Sequence, residues 1–182
     1  DLCMIEHIAD LTRAGVDSLK IEGRAKAAYY VAVATNAYRC AADACEAAGF
    51  PADFRPAPWM REELDKISHR PYGTGFYYGP PEQNVRFGGY VREYEAAAVV
   101  EGYENGRLLL PQRNRFRRGE TLEALEPGGP PFPLPARELY DGEGTPIEAA
   151  PHPLMRVQLP YPRPLAVGSY LRRRTEEAAE KG

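Results

Sequence analysis

The stretch Asp17–Tyr30, DSLKIEGRAKAAYY, decides how this chain is read. Ser18-Leu19-Lys20-Ile21 has the look of a short buried strand, and Glu22-Gly23-Arg24 then turns the chain into an alanine-rich helix carrying adjacent tyrosines. Upstream, Ile5, Ile8 and Leu11 recur at helical spacing, and Gly15 supplies a stop. Downstream, a helix expected from about Ala25 to Ala48 puts Tyr30, Val33, Ala37 and Ala41 on one stripe. Helix, short strand, helix with tight turns is the rhythm of a parallel α/β fold or barrel. One such unit cannot close its own core. The chain also opens on Asp1 in mid-motif, so the C-terminal part of a longer protein is expected.

Beyond residue 50 the grammar changes. Residues 51–83 read as a Pro/Gly/Tyr-rich linker that packs, with a short helix over residues 59–67 and the loop HRPYGTGFYYGPPEQN. Residues 84–174 read as all-β: FGGYVREYE, AAAVVEGYE, RLLLPQRN, ETLEALEP, PFPLPAREL, LMRVQLP and SYLRRR are short, often alternating segments. Turn signals such as Glu104-Asn105-Gly106 and Asp141-Gly142-Glu143-Gly144 separate them. Such spacing predicts a small closed barrel of about six strands. Residues 175–182 read as a frayed tail or a short solvated helix. The expected domains are thus 1–50, the end of an incomplete α/β core; 51–83, the packed linker; 84–174, the β-barrel; and 175–182, the tail.

Composition narrows the function without naming it. With 23 basic against 26 acidic residues, bulk charge demands no nucleic acid, although local patches matter more than totals. Three cysteines, an odd number, fit no secreted disulfide framework and point to a reduced, cytoplasmic compartment. No apolar run is long enough to span a membrane.

Several groups carry candidate chemistry. If Ser18–Ile21 is a barrel strand, Lys20, Glu22 and Arg24 lie at its C-terminal end, where such folds hold their sites, and the following helix N-terminus favours anions. The set suits a small carboxylate or a base held by a cation; a structural ion pair at a strand end is the plain alternative. Cys3 lies just before a helix, where a thiol suits metal ligation, although a lone cysteine is commonly a small packing group. Cys40 and Cys45 lie mid-helix, off a common face, and read as packing residues. His69 and Arg70 lead into Gly73-Thr74-Gly75, a loop able to close over a ligand; no dinucleotide fingerprint follows from that spacing. Arg113, Arg115, Arg117 and Arg118 on one hairpin could meet phosphates, or form a solvated turn facing acidic strands. The tyrosines of the Pro-rich region fit base stacking and amphipathic packing equally.

The run DLCMIEHIADLTRAGVDSLKIEGRAKAAYYVAVATNAYR resembles the C-terminal end of the core domain in the peptidase U32, or collagenase-like, family. The resemblance continues through HRPYGTGFYYG and through NRFRRGETLEAL, which looks like the hairpin of the family's C-terminal barrel, so it spans nearly the whole chain. Ala25 stands where the family often has methionine. The resemblance implies the end of a TIM-like α/β barrel core followed by a small β-barrel similar to those of translation factors. It is nearest to the prephenate-dependent tRNA uridine hydroxylation proteins; a ribosomal RNA cytidine hydroxylation protein is also related. It implies an iron–sulfur cluster with four cysteine ligands, the last of them Cys3 and the others upstream, with prephenate as co-substrate and tRNA as partner. Lys20, Glu22 and Arg24 would then be catalytic, His69, Arg70 and Thr74 substrate-binding, and Arg113, Arg115, Arg117 and Arg118 RNA-binding. The whole protein would hydroxylate a wobble uridine, and the 182-residue chain alone is expected to be inactive. Two alternatives remain open: a collagenase-type peptidase, and a non-catalytic module whose barrel works in translation. The residues give the peptidase little, because no Ser/His/Asp or Cys/His arrangement and no His-Glu-x-x-His helix is visible.

Overall fold

The computed structural model describes residues 1–81, 89–175 and 178, which fall into two compact units, Asp1–Glu93 and Tyr94–Gly182. The expected boundary at residues 83 and 84, the first residues of FGGYVREYE and most of the expected tail lie outside the described residues.

The first unit is helical. A 3₁₀ turn, Ile5–His7, runs into α1 (Ile8–Arg13); α2 spans Ala28–Ala47 and α3 spans Pro58–Asp65. Val33, Ala34, Ala37, Ala41 and Cys45 face inward from α2 and are buried. This is the stripe that the i, i+4 spacing demands. Small alanines on that face let α2 lie close to α1 and α3, which contribute Ile8, Met60 and Leu64 to a core that the 3₁₀ turn completes with Ile5. Pro58 opens α3 at a position whose N–H has no helical partner to lose.

Ser18–Ile21, expected as a strand, has no regular secondary structure here: nothing among the described residues gives it a ladder, and Asp17–Lys20 are exposed. A strand exists only through its neighbour's hydrogen bonds, and alternation alone cannot supply one. Gly23 has a positional reason. A Cβ there would come within 2.7 Å of Val31 Cγ2, so only glycine lets the turn pass this close to the first turn of α2.

The second unit is all antiparallel β. Its strands are β1 (Tyr94–Val99), β2 (Gly102–Glu104), β3 (Arg107–Pro111), β4 (Phe116–Arg117), β5 (Thr121–Leu125), β6 (Phe132–Pro135), β7 (Tyr140–Asp141), β8 (Ala149–Ala150), β9 (Arg156–Pro160) and β10 (Tyr170–Arg174). They form two four-stranded sheets, ordered β1-β10-β5-β6 and β2-β3-β9-β7, and a short β4-β8 ladder. The Ala98–Gln112 bridge links the first sheet to the end of β3. Alternating Leu108 and Leu110, Leu122 and Ala124, and Val157 and Leu159 point into one core with Phe116, Leu134 and Leu171. Asn105 and Gly106 both take positive φ, 49° and 78°, as a two-residue hairpin between β2 and β3 requires. At the free edge of its sheet, β6 alternates Pro133 and Pro135, which offer no N–H to a stray strand.

The stretch FGGYVREYE, expected as one strand, divides: Val91 pairs with His69 in the first unit, and the β unit's own strand begins at Tyr94. The described residues hold ten strands rather than about six, and three of them, β4, β7 and β8, are two residues long, too short to leave an alternating pattern.

Candidate functional site

Cys3 lies where the start of the chain is stitched to the HRPYGTG loop. Its N–H donates to the Gly73 carbonyl at 3.0 Å, and the Gly73 N–H donates to the Asp1 carbonyl at 3.0 Å. From α2, the Tyr38 hydroxyl accepts the Met4 N–H at 2.9 Å and donates to Cys3 Sγ at 3.7 Å. Burial pushes the Tyr38 phenol well above its ordinary value, with the neighbouring thiol adding to the shift, so the proton stays available for donation to sulfur. Tyr30 and Tyr72 are raised chiefly by burial as well, with a smaller contribution from the neighbouring Cys3. Three protonated phenols therefore lie within electrostatic reach of this thiol.

The loop residues are held firmly. His69 is buried and stacks on Tyr72, with ring centroids 4.4 Å apart and planes 8° from parallel. Its Nδ1 lies 2.9 Å from the Arg70 carbonyl, a hydrogen bond that requires the proton on Nδ1. Its backbone exchanges both hydrogen bonds with Val91. Tyr72 in turn donates to the Leu64 carbonyl at 2.7 Å, which takes its hydroxyl away from any ligand. The Arg70 N–H donates to Asp1 Oδ2 at 3.0 Å, and its Nε lies 3.4 Å from Asp1 Oδ1. Thr74, half-buried, turns the chain through its carbonyl, which accepts the Tyr77 N–H at 3.3 Å.

Glu22 is met by the Lys20 side chain and by the Arg24 backbone. Lys20 Nζ lies 3.3 Å from Glu22 Oε2, with the two side chains 84% and 68% exposed, and the Arg24 N–H donates to Glu22 Oε1 at 3.3 Å. That backbone bond, then Lys20, holds the Glu22 carboxyl below its ordinary value. The pair in hand is a solvated one, of little value to stability, and its contacts are internal to the run rather than with Cys3. The residue of this segment that does reach inward is Lys26, which sequence reading passed over. Its Nζ donates to the Ser68 carbonyl at 3.0 Å and lies 5.1 Å from the Tyr30 ring centroid and 4.1 Å from that of Tyr90. Aromatics at Tyr30 and Tyr90, far apart in sequence, gave no local signal for it.

In the β unit, Phe116 is fully buried, and period-2 alternation turns Arg115 and Arg117 the other way, to solvent. Arg113 and Arg118 are also exposed; Arg118 Nη2 lies 3.0 Å from Glu148 Oε1, and among the described residues the other three are in no ion pair. The arginines of β10 differ. Arg172, fully buried, donates to Glu123 Oε2 at 2.9 and 2.7 Å from Nε and Nη2, and Arg173 reaches Glu95 and Glu120 at 2.9 and 3.5 Å. The sheet thus consumes its β10 guanidiniums internally and leaves the hairpin set facing water.

For a thiolate-held metal group, the described residues fit as one ligand and not as a site. No group of three or more His, Cys, Asp or Glu converges among them. Cys40 and Cys45 thiols are pushed up by burial, which disfavours the ligating thiolate. Cys3 is partly exposed, fixed through its backbone and supplied with a hydroxyl donor, as an outer-shell partner of a ligating thiolate would be. No helix among the described residues is long and apolar enough to cross a membrane.

A helical unit that ends in a Gly-rich aromatic loop, followed by an antiparallel β unit, agrees with the family comparison. Residues 1–86 match Peptidase family U32, and residues 92–172 match the Peptidase family U32 C-terminal domain. The chain belongs to peptidase family U32. Among its relatives, tRNA hydroxylation protein P1 of Bacillus subtilis (strain 168) is 33% identical over 95% of this chain and 42% of its own length. tRNA hydroxylation protein P of Escherichia coli (strain K12) is 37% identical over 91% of this chain and 36% of its own length. The chain therefore spans about two fifths of the curated relatives it matches. A crystal structure of the C-terminal domain of a U32 peptidase from Geobacillus thermoleovorans is 33% identical and covers 43% of this chain and 99% of that one, with a TM-score of 0.41.

Proposed function

We propose that this chain is the C-terminal part of a tRNA-hydroxylating protein that converts a wobble uridine to 5-hydroxyuridine. The observation that carries the reading is the similarity, over more than nine tenths of the chain, to two relatives named for tRNA hydroxylation. In this reading an upstream half completes a TIM-like barrel, and the β unit is a small barrel, similar to those of translation factors, that docks RNA. Arg113, Arg115, Arg117 and Arg118 meet phosphates, which position the RNA without reading its sequence. Lys20 and Arg24, exposed beside Glu22, are the cations offered to the carboxylates of prephenate. His69, Arg70 and Thr74 shape the substrate loop. Cys3 supplies one thiolate to an iron–sulfur cluster, which when bound would bring one-electron redox chemistry.

The test is mass spectrometry of tRNA nucleosides from cells lacking the whole gene. Derivatives of 5-hydroxyuridine should disappear, return with the parent gene and stay absent with Cys3→Ser. Iron and acid-labile sulfide in the purified whole protein should fall with the same substitution. Unchanged nucleosides in the deletion strain refute the reading. Chelator-independent gelatin cleavage that survives Cys3→Ser would favour the collagenase-type peptidase instead.

A further inference from the structure

Pro151-His152-Pro153-Leu154-Met155 links β8 to β9, and its leucine stands where the turn calls for another residue. The Met155 N–H donates to the His152 carbonyl at 3.1 Å, which closes a four-residue turn with Pro153 and Leu154 at its centre. Leu154 takes a φ of 61°. Proline followed by a positive φ is the pattern of a type II turn, whose third position favours glycine or asparagine. A leucine there is strained by its own Cβ. Among the described residues, Asn105 and Phe50 are the other non-glycine residues with a positive φ. Asn105 serves the β2-β3 hairpin, and Phe50 follows Gly49 just past the end of α2. Leu154 is 63% exposed, so core packing does not offset its strain.

One residue holds the turn in place. Gln112, 1% exposed, donates its N–H to the Met155 carbonyl at 2.9 Å and accepts the Leu154 N–H at 3.1 Å. Its Nε2 donates to the Ala150 carbonyl at 3.0 Å. Both ends of the turn are therefore stapled to the strand that runs on into the arginine hairpin. Arg113 follows Gln112, Arg117 pairs with Ala149, and Arg156 opens β9 opposite Pro111, two residues past Leu154. Arg113, Arg115, Arg117 and Arg156 are exposed, and none is in an ion pair among the described residues. The Glu148 carboxylate, next to Ala149, is taken by Arg118 at 3.0 Å. All of these bonds lie within the β unit, so they fix Leu154 beside the four arginines whatever adjoins that unit.

Charge selects the occupant. Four exposed arginines without carboxylate partners suit a polyanion, and arginine neutralising phosphate is the main source of nucleic-acid affinity. One aliphatic tip among them is too little for the core of a protein interface, which is depleted of charge. It is also too little for a stable membrane anchor, which takes two signals. It suits apolar contact with the face of a base, as leucine wedges make at base steps. We infer that Leu154, held out by Gln112, is the apolar contact of an RNA-docking surface whose phosphates meet Arg113, Arg115, Arg117 and Arg156. This rests on the RNA reading above and deepens it, by adding a fourth arginine and a contact that salt does not weaken.

The experiment measures binding of an unmodified tRNA transcript over a range of salt, by the whole protein carrying this chain and by its Leu154→Gly variant. Glycine removes the side chain and accepts the positive φ, so the melting temperature by calorimetry should hold or rise. Affinity should fall about 5-fold or more. The salt slope should stay that of the parent, because the lost contact carries no charge. Leu154→Met, which stays apolar, should bind as the parent does, and Arg156→Ala should flatten the slope by about 0.7–0.9. If Leu154→Gly binds like the parent, the contact is wrong while the RNA reading stands. If the parent does not bind the transcript, both fail together. An affinity loss that comes with a lower melting temperature or a flatter slope makes Leu154 a support of the fold or of the arginines, and the inference is overturned. So does a Leu154→Cys thiol that maleimide cannot reach in the RNA-free whole protein, since Leu154 would then be covered by another part of that protein.

Discussion

Tyr38→Phe isolates one hydroxyl at the point where α2 holds the Cys3 segment. Phenylalanine keeps the ring and its apolar burial, so the difference is the O–H alone. That oxygen is the acceptor for the Met4 N–H at 2.9 Å, and Met4 is buried. A buried donor left without a partner costs about 1–3 kcal/mol. The Met4 amide is only partly buried, and the bond to sulfur, at 3.7 Å, is long, so the expected loss is in the lower half, about 1–2 kcal/mol. For a unit of this size each kcal/mol lowers the melting temperature by roughly 4–8 °C. The protein's single tryptophan, Trp59, lies in α3 of the same unit and reports its unfolding by fluorescence. Tyr77→Phe, which removes an exposed hydroxyl, is the control and should not shift the melt. Loosening residues 2–4 should also speed alkylation of Cys3 by iodoacetamide. A Tyr38→Phe protein that melts and alkylates like the control would refute the latch.

Three further outcomes are expected. Replacing Arg113, Arg115 and Arg117 by alanine should flatten the dependence of log affinity on log salt by about 0.7–0.9 for each phosphate no longer neutralised; an unchanged slope removes these residues from RNA docking. Hydrogen bonds from Tyr78 and His7 hold the Asp10 carboxyl below its ordinary value of 3.8. Because the folded value is the lower one, the contribution of these bonds is present above about pH 4 and is lost as the pH falls below 3.8. Loop proteolysis at Phe76-Tyr77 by an acid-stable protease should rise over that range, and Tyr78→Phe should be cut more readily already at neutral pH. Gly23→Ala places a methyl 2.7 Å from Val31 Cγ2 and should cost about 1–3 kcal/mol in urea unfolding. Adding Val31→Ala should restore most of it, and a double variant as unstable as Gly23→Ala would locate the strain elsewhere.

The stripe on α2, the short α3 and the longer β strands were legible because each is a local repeat. Val33, Ala37 and Ala41 recur at helical spacing, and Leu108 and Leu110 alternate. The Asn105-Gly106 turn was legible for the same reason: both residues tolerate the positive φ that joins β2 to β3. Ser18–Ile21 forms no ladder among the described residues, because alternation describes a face and does not supply the partner strand. Lys26 was missed because its partners, Ser68, Tyr30 and Tyr90, converge on it only in three dimensions. The four hairpin arginines looked alike in sequence, yet Arg118 alone meets a carboxylate, on the far side of the β4-β8 ladder.

By itself, then, the sequence determined the family, the change from helical to β grammar and the residues worth testing, since periodicity and motif spacing are written along the chain. The tertiary structure decided which charges are already satisfied and which rings are held out. It turned Lys20, Glu22 and Arg24 into a solvated set, tied Cys3 to Tyr38 and Gly73, and fastened Tyr78 to Asp10 while leaving Phe76 and Tyr77 exposed. These hydrogen bonds join neighbours brought together from 34 to 70 positions apart, Met4 with Tyr38 at one extreme and Cys3 with Gly73 at the other. No local pattern encodes them.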